Sequence, residues 1–308
     1  MTEPTPDTPL KIGTRGSPLA LAQAHEVRGR LATAHSLPED CFAITVIQTT
    51  GDAVQDRPLS EIGGKGLFTK ELEAALIDRR IDIAVHSTKD VANLLPDGLT
   101  LSTFLPREDV RDSFISRKYA TFDALPQGSV VGSSSIRRRA QMAARRPDLR
   151  FVEFRGNVQT RLAKLDAGLA VATLLACAGL NRLGQTDLLN PIPPETMLPA
   201  VAQGAISIEQ RADDAQASAL LAPLNDADSA LVVAVERAFL AELDGSCRTP
   251  IGGLAQMQDG HVTLRGEILK PDGSITHSDT WRAPCADAVE MGATAGRELL
   301  RRAGPGFL

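Results

Sequence analysis

The chain has 308 residues, 43% of them hydrophobic and 4% aromatic, and a formal net charge of -5. That length and apolar content allow two or three domains with real cores and exclude a disordered chain. Net acidity with one Trp and one Tyr argues against single-stranded nucleic-acid binding, which joins a basic groove to stacking aromatics.

The N-terminal MTEPTPDTP is polar and Pro-rich, with no basic or apolar leader region, and reads as a tail rather than a signal peptide. The longest apolar stretch, Leu169 to Leu180, is too short to span a bilayer. The expectation is a cytoplasmic protein with no membrane partner. Cys41, Cys177, Cys247 and Cys285 are scattered without a C-x-x-C pair, and the histidines lack H-x-x-x-H spacing, so no metal site is expected.

In chain order, short β-rich runs alternate with helical segments, which predicts parallel α/β layers. Leu10–Thr14 reads as a strand, and Ser17-Pro18 opens a helix with a favoured N-cap and a Pro at its first position. Ala43–Thr49 is a second strand, followed by a polar stretch from Gly51 to Gly66. Leu67–Arg80 has helical periodicity. Ile81–His86 is apolar enough for a buried strand and runs into Ser87-Thr88-Lys89-Asp90. Val130–Val131 leads into a Ser-rich turn and a helix. Arg150–Phe154 repeats the pattern, with Arg155-Gly156-Asn157, a helix and Gly168 as its C-cap. Leu169–Leu175 and Ala205–Glu209 are further strands. Ser229–Leu243 is a helix capped by Asp228. Three β segments follow, punctuated by the hairpin signals Asp259-Gly260 and Asp272-Gly273, and a last helix covers roughly Ala286–Arg302.

Polar residues cluster in turns after strands, where ligands bind in open α/β sheets. The pattern therefore predicts one cleft faced by Arg15, Ser17, Asp90, Ser133–Arg138 and Arg155. Between Gly132 and Arg161 stand eight arginines and only two acids. Arg137, Arg138 and Arg155 follow Gly/Ser turns at helix starts, where free N–H groups and the helix dipole favour an anion. Arg139, Arg145 and Arg146 fit either this role or a solvated helix face.

Three other constellations stand out. Asp90, beside Lys89, fits either a surface salt bridge or a carboxylate that stabilises developing positive charge, while His86 reads as a packed strand residue. Cys247 lies in Asp244-Gly245-Ser246-Cys247-Arg248, where a neighbouring cation favours thiolate. A buried structural thiol is the alternative. Gly63-Gly64-Lys65-Gly66 lacks the P-loop spacing and reads as a glycine hinge for a lid.

Eight segments in order, from KIGTRGSPLALAQA through GGKGLFTKELE, AVHSTKDV, GSSSIRRRAQ, RGNVQTRLAKLD, LACAGLNRLG and LPAVAQGAISIEQR to ERAFLAELDGSCRTPIGG, resemble the porphobilinogen deaminase (hydroxymethylbilane synthase) family. The resemblance runs from about Leu10 to Gly253. It implies an α/β fold of two doubly wound, periplasmic-binding-protein-like domains plus a small α+β C-terminal domain. The corresponding divisions are residues 1–105 with 205–222, 106–204, and 223–308. It implies a monomeric transferase that condenses four porphobilinogen molecules head to tail, with loss of ammonia, and releases hydroxymethylbilane by hydrolysis. It also implies a dipyrromethane cofactor joined by a thioether to Cys247, and Asp90 as catalytic residue. The matching binding positions are Arg15, Ser17, Lys65, Phe68, Ser87, Lys89, Ser133, Ser135, Arg137, Arg138, Arg155, Asn157, Arg161 and Gln203. Departures are Ala92-Asn93 after the Asp90 run, Gly16, and Val171 where an Asp is common. A two-lobed anion-binding protein without catalysis is the competing reading; it leaves Cys247 without a use.

Overall fold

The structure, a computed structural model, describes residues 3–53, 67–243 and 249–307. They form two compact units. The first comprises 3–53, 67–108 and 205–230, and the second 109–204, 231–243 and 249–307.

The first unit holds β1 (Leu10–Thr14), β2 (Phe42–Val46), β3 (Ile83–Ser87), β4 (Leu99–Phe104) and β9 (Ile206–Arg211) in the order β2-β1-β3-β9-β4. β1 runs parallel to β2 and β3, while β9 is antiparallel to both β3 and β4. Both faces are covered. Ile12, Ile83, Val85, Ile206 and Ile208 pack against Val27 and Leu31 of the helix Pro18–His35. Ala84 lies on the other face with Leu72, Ala75 and Leu76 of the helix Lys70–Ile77. Burial on both sides explains the near-continuous apolar runs. As expected, Ser17 caps its helix: its Oγ accepts from Ala20 N at 3.2 Å, with Pro18 in the first turn.

The second unit contains β5 (Asp112–Ile115), β6 (Val130–Gly132), β7 (Arg150–Val152) and β8 (Ala172–Ala176) in the order β5-β8-β6-β7. Helix Ile136–Arg145 supplies Met142 to one face, with Phe114, Val131 and Leu174; helix Val158–Asp166 supplies Val158 and Leu165 to the other, with Ile115 and Phe154. The meander β10 (Ile251–Gln258), β11 (His261–Leu269) and β12 (Thr276–Pro284) is antiparallel and backed by the helix Ala288–Ala303. Its two turns place Asp259 and Gly260 at φ +51° and +72°, and Gly273 at φ +74°, as the hairpin signals predict.

Several expectations are corrected. The helix expected over Leu67–Arg80 spans Lys70–Ile77, because residues 67–69 form a turn and Arg79 adopts φ +57°. β4 and β5 were not anticipated: each pairs antiparallel at a sheet edge, and nothing in their short runs signals a ladder. The layers are parallel only across β2-β1-β3 and across β8-β6-β7. The helix Ala227–Glu242 starts earlier than expected, and Asp226, rather than Asp228, accepts the Ser229 N–H at 2.8 Å.

Candidate active site

In the first unit the site residues lie at the carboxyl ends of β1 and β3. Arg15 follows β1. Asp90 closes the 3-10 turn Thr88–Asp90 that follows β3. Arg15 Nη1 lies 3.7 Å from Asp90 Oδ2, with Asp90's side chain 29% exposed. The Arg15 guanidinium also stacks over the Phe68 ring at 4.2 Å, joining Phe68 to the pair by a cation–π contact. Ser87 exchanges hydrogen bonds with Gln23: Gln23 Nε2 donates to Oγ at 2.9 Å, and the hydroxyl lies 3.2 Å from Oε1. Thr88 pins the turn by donating N–H and Oγ1–H to Ala205 O, each at 3.1 Å. His86 is buried against Glu209, consistent with the strand-residue reading.

In the second unit the turns after β6 and β7 carry the arginines. Here the structure differs from the expectation of cleft-facing forks at Arg137 and Arg138. Both are buried, 5% and 7% exposed, and converge on Asp112, which is 0% exposed. Arg137 Nη2 donates to Asp112 Oδ2 at 2.8 Å, and Arg138 Nη2 to Oδ1 at 2.7 Å. Their Nη1 groups go to the carbonyls of Leu198 and Leu174, at 2.8 and 2.9 Å. Gln203 Nε2 also donates to Asp112 Oδ1, at 2.8 Å, and to Val110 O. Burial pushes the Asp112 carboxyl up, but the two guanidinia outweigh it and hold it well below the usual carboxylate range. Arg137 is pulled down by burial and by Arg138. Asp112 was missed because its partners lie 25 and 26 residues away. With β5 itself unsignalled, nothing local in the sequence marked Asp112.

The hydroxyl and amide groups are also engaged. Ser135 Oγ caps the helix by accepting from Arg138 N at 3.4 Å, and Ser133 Oγ accepts from Ser135 N at 3.2 Å. Asn157 Oδ1 caps the next helix, accepting from Thr160 N at 2.9 Å. Arg146 is not a solvated helix residue. It clamps Asp148 and the carbonyls of Phe122, Asp123 and Leu125. Arg139 pairs with Glu153, and Arg145 sits over Phe122.

Arg161 Nε donates to Gly156 O at 3.0 Å. Its guanidinium is brought down to about 10, by burial and then by the like charges of Arg138 and Arg155. Three cations therefore crowd the ends of β6 and β7. The Nε atoms of Arg137 and Arg138 are buried without an acceptor among the described residues. Such a donor set suits a ligand with several carboxylates.

Lys65, the rest of the glycine hinge, and Cys247 with Arg248 lie outside the described residues. Of the other thiols, Cys41 and Cys177 are buried and Cys285 is half-buried. Burial pushes Cys177 up to about 12 and also raises Cys41, so both are poor nucleophiles.

Crowded guanidinia at the strand ends of an α/β unit suit an acidic small molecule. The chain matches the family models "Porphobilinogen deaminase, dipyromethane cofactor binding domain" over residues 10–219 and "Porphobilinogen deaminase, C-terminal domain" over 230–301. It is 60% identical over 305 residues to a porphobilinogen deaminase of Paracoccus denitrificans, covering 99% of this chain and 97% of that one. Identity to the porphobilinogen deaminase of Nitrobacter hamburgensis is 54%, covering 96% and 94%. Among solved structures it is similar to an ABC transporter periplasmic substrate-binding protein from Coxiella burnetii, with TM-score 0.42, 14% identity, and 74% and 96% of the two chains covered. A TRAP periplasmic solute binding protein from Desulfovibrio salexigens gives TM-score 0.42, 10% identity, and coverage of 70% and 72%. Likeness at that level carries no argument about function.

The chain belongs to the porphobilinogen deaminase family. It is a transferase of tetrapyrrole biosynthesis that condenses four porphobilinogen molecules with loss of ammonia and releases hydroxymethylbilane, using a dipyrromethane cofactor. The acetate and propionate arms of the two cofactor rings match the crowded guanidinia and unsatisfied Nε donors of the second unit.

Proposed function

We propose that Asp90 is the catalytic residue of the condensation. As ammonia leaves porphobilinogen, positive charge spreads onto the pyrrole ring nitrogen. A carboxylate is an acceptor-only group, so placed at the ring N–H it stabilises that charge. The observation that carries this reading is the half-exposed Asp90 carboxylate at the end of β3, with Arg15 at 3.7 Å and Phe68 stacked on Arg15. Arg15 and Lys89 supply cations beside Asp90 for a substrate carboxylate, with Ser17 at the adjoining helix start. Asp90→Ala is expected to stay folded, with an unchanged circular dichroism spectrum, and to lose porphobilinogen turnover. Turnover at the wild-type rate would remove Asp90 from the mechanism.

Arg155 and Arg161 are the strongest anion-binding residues in this reading, and Arg137, Arg138, Ser133, Ser135, Asn157 and Gln203 hold their turns in place. When bound, the dipyrromethane supplies the free pyrrole carbon that attacks the activated substrate. Cys247 is its attachment point through the family motif, and Cys41 and Cys177, buried thiols with raised pKa, are poor alternatives. Lys65 belongs to the same proposal through its motif alone.

Three separate sheets support a division into residues 1–105 with 205–222, 106–204 and 223–308. We further infer a cytoplasmic monomer acting on a diffusible substrate, with no nucleic-acid or membrane partner. Net acidity and few aromatics support the former exclusion. Among the described residues no single helix is long and apolar enough to cross a membrane. Light scattering on the purified protein tests the monomer.

A further inference from the structure

We propose that Glu209 is a positioning residue for Asp90, acting through His86. The proposal rests on Asp90 being the catalytic carboxylate. His86 is the penultimate residue of β3, and the turn carrying Asp90 begins two residues later. β3 pairs with β9 in the antiparallel register Ala84↔Glu209 and His86↔Ser207, which makes His86 and Glu209 diagonal neighbours on one face of the sheet. His86 Nε2 donates to Glu209 Oε2 at 2.8 Å, with side chains 3% and 0% exposed.

Stability alone is a poor reason for this pair. Two buried polar groups lose their hydration, and a well-packed apolar pair of similar volume often holds a fold as well or better. Glu209 is a weak stabiliser for a second reason: its other oxygen, Oε1, is buried without a hydrogen-bond partner among the described residues. The same face also holds Glu73 of the helix Lys70–Ile77, which is buried. Burial and then the Glu209 charge push the Glu73 carboxyl up, while His86 pulls it down. A second buried acid beside Glu209 adds repulsion to the arrangement.

What the pair does impose is register. A slip of one residue between β3 and β9 would turn His86 to the opposite, aliphatic face and break its bond to Glu209. The same slip would move the Asp90 turn along the strand by about 3.3 Å. Misplacement of a reacting group by about 1 Å already costs on the order of a hundredfold in rate. Thr88 N and Oγ1 fasten the next residues of the turn to Ala205 O, just before β9 begins. The Asp90 turn is thereby tied to β9 on both sides of the strand end, once by His86–Glu209 and once by Thr88–Ala205.

The test uses the full-length holoenzyme and four variants. Glu209→Met and His86→Leu replace a partner with an apolar group. Glu209→Gln and His86→Gln keep an acceptor and a donor, respectively. Positioning predicts that each apolar variant lowers kcat about tenfold or more, with KM for porphobilinogen and the bound dipyrromethane mass as in wild type. The two Gln variants recover most of kcat. Wild-type kcat in Glu209→Met would overturn the proposal, as would loss of dipyrromethane mass in step with activity. If both apolar variants fail to fold, the pair is structural and the proposal falls. Asp90→Ala is measured in parallel. Normal turnover there would sink the Asp90 reading itself, whereas an inactive Asp90→Ala beside a fully active Glu209→Met would sink only the positioning role.

Discussion

Asp112 Oδ1 receives Arg138 Nη2 at 2.7 Å in a fully buried pair, and the same carboxylate holds Arg137 through its other oxygen. One acid thus orients two consecutive arginines of the helix Ile136–Arg145. Their positive charge is held at the helix start by design of the interior rather than by exposure.

Removing that acid takes from two buried guanidinia the carboxylate that both of them bond, and leaves Arg137 only the charge of Glu267. Breaking one side of a buried pair typically costs about 3–5 kcal/mol, because the remaining charge stays desolvated. Asp112→Asn is therefore expected to lower the urea midpoint strongly. The pH dependence has a defined sign. The folded carboxyl is depressed, so its contribution is complete above the unfolded value of about 3.9 and fades as pH falls toward the folded value. The stability gap between wild type and Asp112→Asn should be constant from pH 5 to 7 and narrow below about pH 4. A gap that does not change with acid would remove Asp112 as the charged partner.

Arg161 should behave in the opposite way. Its folded pKa is lowered to about 10, so the charged form is a liability below that pH, and the liability eases as pH rises through it. Arg161→Met is expected to melt at an equal or higher temperature than wild type at pH 7, while losing porphobilinogen turnover at least tenfold. A polycarboxylate such as citrate should raise the wild-type melting temperature more than the variant's. Equal shifts in the two proteins would show that Arg161 takes no part in anion binding.

Gly132 ends β6 and leads into the Ser133–Arg138 turn. The Phe154 ring occupies the space that a Cβ there would need. Gly132→Val is expected to destabilise the protein by about 1–3 kcal/mol through overpacking, and to shift the arginines that follow. Chemical denaturation measures the first effect and KM for porphobilinogen the second. An unchanged midpoint would mean that Phe154 moves aside freely.

Much of this was legible in the chain. Ser17-Pro18 announced a capped helix, Gly168 a left-handed end at φ +73°, and Asp259-Gly260 a tight hairpin, because each is a local backbone requirement. The place of Asp90, in a turn after an apolar strand, was legible. Local signals failed where long-range pairing decides. β4 and β5 exist because β9 and β8 offer them an edge. Arg137 and Arg138 turn inward because Asp112 waits in a strand remote in sequence. Arg146 reads as a surface residue until the carbonyls of Phe122, Asp123 and Leu125 come into reach.

The chain builds its product on a dipyrromethane, which we propose is carried by Cys247. Intact-protein mass of the enzyme, purified from a host that makes porphobilinogen, tests it most directly. Wild type should be heavier than its sequence by two linked pyrrole units, and Cys247→Ser should have the bare sequence mass. A bare mass for wild type, or the same adduct on Cys247→Ser, would contradict it.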